Sequence, residues 1–268
     1  MPDGQKNPGG AKRDSVGNTL LVAVCVSLVC SLLVASAAVL LKPKQQENEE
    51  RYRQAIILDV AGLLEPGADI AALFASVEAR VVNLADGSYA DSLDARQFDA
   101  LLAANDADLS VAIPGAIDIA NIGRRARYAT VYIVRTNGTI DQVILPIHGA
   151  GLWSTMYGYL AVAGDGRTIR GLRFYEHAET PGLGDQIDDA EWRAQWPGKL
   201  LYGENGLPVI EVVRGFVQPG EHAVHQVDGI SGATLTGRGV SNLIRYWAGP
   251  HGFGPYLDRL RDKFDGND

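Results

Sequence analysis

The chain's 268 residues, 46% hydrophobic and 21% charged, leave room for one domain of ordinary size with appendages, and exclude collagen-like and wholly disordered readings. Its net charge of -8 provides no basic face for a phosphate backbone, which sets nucleic acid aside as a partner. Both cysteines, Cys25 and Cys30, lie in one apolar run near the N-terminus, so the rest of the chain has no disulfide framework, thiolate metal site or cysteine nucleophile.

A short tail, 1–18, precedes that run. Residues 19–41 form 23 consecutive positions without charge, proline or glycine. About 20 apolar residues in a helix cross a bilayer with every backbone hydrogen bond satisfied internally, so the run reads as a transmembrane helix. A cleaved signal peptide is the alternative, because Ala35-Ser36-Ala37 has the small-residue form of a cleavage site. The run, however, exceeds the roughly 7 to 15 residues of a signal's apolar region. Lys6, Lys12 and Arg13 precede it and Lys42, Lys44, Arg51 and Arg53 follow, so positive charge does not choose a side.

Residues 42–127 read as a membrane-proximal helical region. Ile56, Ile57, Val60, Leu63 and Leu64 recur at helical spacing, Pro66-Gly67 interrupts, and Asp69 caps a second helix expected to reach about Val82. Asp86-Gly87 marks a turn, a third helical stretch covers 93–104, and a loop ends at Pro114-Gly115. From Tyr128 the period becomes two. Stretches 129–135 and 140–147 form a hairpin through Asn137-Gly138, and 158–163 and 168–176 repeat the pattern across Gly164-Asp165-Gly166. Stretches 208–215 and 222–227 add two candidate strands to an antiparallel sheet. After Thr236 the pattern is helical again, with Val240, Leu243, Ile244 and Trp247 on one face before Gly249-Pro250. The expected fold class is α+β: a single N-terminal transmembrane helix, an antiparallel-sheet domain over 128–256 with flanking helices, and a C-terminal tail over 257–268.

The most informative stretch is Asp228-Gly229-Ile230-Ser231-Gly232-Ala233-Thr234-Leu235-Thr236, between a strand and a helix. Its small residues admit a ligand close to the backbone, and the helix N-terminus beyond them favours a phosphate. Taken alone, the Ser and Thr read equally as helix caps. His222 and His225, three apart on an expected strand, would face opposite sides and share no metal. Glu47, Glu49 and Glu50 beside Arg51 and Arg53 read as a solvated helix face.

The same stretch resembles the Asp-x-x-Ser/Thr-Gly-Ala-Thr flavinylation motif of the covalent FMN-binding domain family. The resemblance implies FMN on Thr234 through a phosphoester, installed from FAD by a flavin transferase whose recognition includes Asp228. It also implies contacts from Ser231, Gly232, Ala233, Leu235 and Thr236. His177-Ala178-Glu179-Thr180-Pro181-Gly182-Leu183-Gly184 resembles a second family segment, and implies that Glu179, Thr180, Gly182, Leu183 and Gly184 meet the flavin or its ribityl chain. The bland reading of His177 and Glu179 is a solvated strand end. Gly149-Ala150-Gly151-Leu152-Trp153-Ser154 resembles a third segment, found in sodium-pump members of the family. It implies cofactor contacts from Leu152, Trp153 and Ser154, with Trp153 and Tyr157 stacking on or flanking the ring; the alternative is a core tryptophan. Few Lys or Arg surround the motif, so the phosphate is expected to rely on backbone donors.

Within the family, this combination is most similar to the branch serving sodium-translocating NADH:quinone reductases. That likeness implies an electron-relaying subunit, not catalytic alone, with the other subunits of such a complex, a flavin transferase and the bacterial inner membrane as partners. Its flavin domain would lie on the periplasmic side. A related Rnf-type electron-transport subunit is one alternative. A membrane-tethered ligand sensor is another, although the 18 residues before the span leave no room for a signalling domain.

Overall fold

The computed structural model describes residues 16–266. The tail charges Lys6, Lys12 and Arg13 and the last two residues of the expected C-terminal tail lie outside them. The chain divides into two compact units, Met1–Arg51 and Tyr52–Asp268.

Helix α1, Val16–Val60, contains the expected apolar span and is long and apolar enough to cross a membrane. Arg51 pairs with Glu47 one turn away at 2.8 Å, in keeping with a solvated face, whereas Arg53 lies over the Tyr175 ring. The last turns of α1 belong to the second unit, where Ile56, Ile57, Leu58 and Val60 are buried.

Helix α2, Ile70–Phe74, is capped by the Asp69 carboxylate, which accepts from the Ala71 and Ala72 amides. It ends well short of Val82. The chain turns instead into strand β1, Glu78–Asn83, because Val81 and Val82 bury their side chains at an edge of the sheet. Only Ala100–Ala103 of the third expected helix is helical (α3). Short strands β2, Ser110–Ala112, and β3, Arg124–Ala126, pair with each other.

The main sheet continues with β4, Tyr128–Thr136; β5, Thr139–Ala150; β6, Thr155–Ala163; and β7, Ile169–Glu176. Its order is β1-β4-β5-β6-β7, with every neighbour antiparallel. Asn137 and Gly138 both have positive φ, as a two-residue hairpin turn of the primed type requires. The sheet's edge strand therefore comes from the region expected to be helical, and the domain extends N-terminal of residue 128.

Helix α4, Ala190–Arg193, precedes β8, Glu211–Val212, and β9, Gln226–Val227. These last two pair parallel in a separate ladder, so stretches 208–215 and 222–227 do not extend the antiparallel sheet. His222 and His225 occupy a 3-10 turn rather than a strand. Helix α5, Thr234–Ala248, begins two residues earlier than the apolar period suggests. Helix α6, Gly254–Phe264, replaces most of the expected C-terminal tail, since Leu257 and Leu260 are buried in the core.

Alternate residues of the central strands serve two cores. Val143, Leu145, Ile147, Leu160 and Val162 join the α5 side with Val240, Leu243 and Trp247. Ile144, Tyr159 and Ala161 join the end of α1 on the other side. Both faces are covered, which is why these strands are apolar almost throughout. Helix α5 approaches β5 closely: a Cβ on Gly239 would lie 2.6 Å from the Ala150 carbonyl oxygen. That contact brings the N-terminus of α5 beside the loop after β5.

Candidate functional site

Thr234 is the first residue of α5 and is exposed. The cap position is Ala233, which has no side-chain acceptor, so neither Ser231 nor any other side chain caps the helix there. The capping alternative for these hydroxyls is thereby removed. The first amides of a fifteen-residue helix carry partial positive charge and have no intrahelical acceptor. Gly232 precedes them at a φ of 73°, and a Cβ there would lie 2.8 Å from Leu183 Cδ2. Glycine thus lets the 180–184 turn close over the motif.

Glu179 joins three segments. Its buried carboxylate accepts from the Leu152 amide at 2.9 Å and the Trp153 amide at 3.2 Å through Oε1, and from the Thr236 hydroxyl through Oε2. Trp153 Nε1 donates to Thr180 Oγ1 at 2.9 Å. Ser154 Oγ accepts from the Ala178 amide at 2.9 Å, tying the loop after β5 to the chain leaving β7. His177 Nε2 and Asp188 Oδ2 lie 2.9 Å apart. Glu179 and Thr236, both expected as cofactor contacts, are buried partners that set the geometry of these loops, and the solvated reading of Glu179 does not hold.

Above this buried frame, large apolar side chains remain exposed: Leu152, Trp153 at 68%, Leu183 and Leu235. Trp153 is therefore no core tryptophan. This rim beside an uncapped helix end fits a planar apolar ring carrying a phosphate. Thr180 is part-buried behind the rim, Gly182 is exposed at its turn and Gly184 is buried. Tyr157 does not join the rim: its ring stacks on His148 and lies near Tyr175.

Asp228 faces inward. Its Oδ1 accepts from the Val217 amide at 2.7 Å, its carbonyl accepts from Trp192 Nε1, and its amide donates to Gln195 Oε1. The carboxylate thereby shapes loop 213–217, one wall of a cleft of about 700 Å³ that also includes Thr234. Arg214, Arg238 and Arg245 line this cleft, so the surroundings of the motif are not poor in cations. Arg214 lies twenty positions before Thr234 and reaches the cleft only through the fold. Arg238 follows the motif by one turn of α5 and was visible in the sequence. No cluster of three metal-ligating side chains occurs among the described residues.

An antiparallel sheet, an uncapped helix start behind Ser-Gly-Ala-Thr and an apolar rim define a flavin-binding domain on an apolar helical anchor; the FMN-binding domain family matches residues 151–249. The chain is 50% identical over 256 residues to the NqrC subunit of the Na(+)-translocating NADH-quinone reductase of Pseudomonas aeruginosa, covering 94% of this chain and 98% of that protein. It is 46% identical over 254 residues to the corresponding protein of Yersinia pestis, covering 93% and 94%. The crystal structure of Shewanella oneidensis NqrC superposes with a TM-score of 0.73 at 37% identity, covering 80% of this chain and 99% of that one. The chain belongs to the NqrC family of Na(+)-translocating NADH-quinone reductase subunits.

Proposed function

We propose that this chain relays electrons inside a sodium-translocating NADH-quinone reductase through FMN joined to Thr234 by a phosphoester. The observation that carries the reading is the exposed Thr234 hydroxyl at the start of a helix whose cap residue, Ala233, leaves the first amides without a side-chain acceptor. FMN, when bound, supplies transfer of one or two electrons. The residues of this chain hold and orient it. The α5 amides meet the phosphate; Leu152, Trp153, Leu183 and Leu235 supply apolar surface; Glu179 and Thr236 fix the loops that carry this surface. Covalent attachment keeps the flavin at high effective concentration beside this rim even where the rim's own affinity is modest.

A flavin transferase is the maturation partner and the remaining subunits of the complex are the electron-transfer partners. The relatives' names supply the complex, and the flavinylation motif supplies the transferase. Intact-mass spectrometry of denatured protein co-expressed with a flavin transferase should show one added FMN residue on the wild type and none on Thr234→Ala. An unmodified wild-type mass under those conditions refutes the attachment. The complex assembled with Thr234→Ala should still pass electrons from NADH to an artificial acceptor at the NADH-oxidising subunit while losing quinone reduction.

A further inference from the structure

The cleft beside Thr234 has an unusual charge arrangement. Arg245 is committed: its guanidinium donates to the Ile210 and Val209 carbonyls and pairs with Glu211 at 2.9 Å. Arg214 and Arg238 are exposed, and their side chains make no ion pair or hydrogen bond among the described residues. They line the same cleft as Thr234 and Ser231, and exposed Phe216 and part-buried Asn242 complete the walls. Arg238 is four residues after Thr234 on α5, so the two side chains share one face, about 5 to 6 Å apart at their Cβ atoms. A guanidinium easily spans that distance to a phosphoryl group on the Thr234 hydroxyl, and its planar fork suits phosphate oxygens. Arg214 comes from the loop wall shaped by Asp228.

Resting on the phosphoester reading above, we infer that Arg238 and Arg214 bind the phosphoryl group during its transfer to Thr234, and that Asp228 acts as a positioning residue by holding the loop that presents Arg214. In that step Thr234 Oγ1 forms a bond to the phosphorus of the FMN half of flavin adenine dinucleotide. The anhydride bond to the other half breaks, AMP leaves with the bridging oxygen, and the hydroxyl proton passes to solvent. No electrons are exchanged. Negative charge grows on the departing phosphate as the anhydride opens, and two unpaired guanidiniums facing it favour that state over the resting one.

The test uses the full-length chain purified without flavin, a flavin transferase and flavin adenine dinucleotide, with labelled fraction followed by intact mass. The Arg214→Gln/Arg238→Gln double variant should be labelled about tenfold more slowly at saturating transferase, and Arg238→Lys in an otherwise unchanged chain, which keeps the charge but loses the planar fork, should fall between the double variant and the wild type. Added KCl should slow the wild type and affect the double variant much less. Asp228→Asn, which keeps an acceptor for the Val217 amide, should retain more rate than Asp228→Ala. Equal saturated rates for wild type and double variant overturn the inference while leaving Thr234 as the attachment point. So does a loss confined to the KM for this chain, which would mean that the arginines dock the transferase's surface. A wild type that takes no label at all overturns the attachment itself.

Discussion

His148 is packed between the rings of Tyr157 and Trp247, and burial lowers its pKa from 6.5 to about 4. The unfolded chain therefore takes up this proton first. The contribution is complete above the ordinary histidine range, at neutral pH, and is lost as pH falls from about 6.5 towards 4, by at most about 3 kcal/mol. Urea midpoints of wild type and His148→Gln, measured at pH 7 and pH 4.5, should converge at the lower value. A parallel fall of both curves would show that His148 carries none of the acid sensitivity. Glu179 shows what the sequence made legible at this scale and what it did not. The motif order located it at the site, but its role depends on the Leu152 and Trp153 amides and the Thr236 hydroxyl, drawn from segments 26 to 57 positions away. No local pattern announces such a junction. Trp153 was legible as a candidate, whereas its exposure, which separates a ligand surface from a core ring, needed the fold.

Helix α5 and strand β5 fix where the site forms, and their close approach depends on Gly239. Alanine there gains up to about 1 kcal/mol of helix propensity, but its Cβ would meet the Ala150 carbonyl oxygen at 2.6 Å, a backbone atom that cannot rotate away. Overpacking typically costs about 1 to 3 kcal/mol, so the clash wins and Gly239→Ala should destabilise the domain by about 1 to 2 kcal/mol. Denaturant titration checks the sign; a raised midpoint would mean that α5 can lift from β5 without penalty. Elements with strong periodicity were readable: the β4–β5 hairpin announces itself by β-branched strands around Asn137-Gly138, and α5 by its apolar stripe. Strand β1 was not, because Glu78, Ala79 and Arg80 suit a helix as well as a strand. Its state is decided by pairing Val81 with Thr130 and Val82 with Ala129, about fifty residues away. The β8–β9 pair is only two residues long on each side, too short to carry a period.

The flavin domain and the last turns of the anchor helix are one folded unit. Asp59 accepts from Arg173 at 3.0 Å and Arg193 at 3.1 Å, and Gln142 Nε2 donates to the Ala61 carbonyl at 2.8 Å. Ile56, Ile57 and Leu58 fill the adjoining core. Residues 52–60 therefore belong to the same compact unit as the sheet, and α1 is the one helix among the described residues long and apolar enough to cross a membrane. Everything C-terminal to the span should lie on a single side, the periplasmic one by the family resemblance. A reporter that is active only after export, fused after Asp268 in the full chain, should be active, and one active only in the cytoplasm should be silent. The opposite pair of results would reverse the orientation. A mature N-terminus near Ala38 would show that the apolar segment is a cleaved signal, and would leave the domain tethered only through its partner subunits.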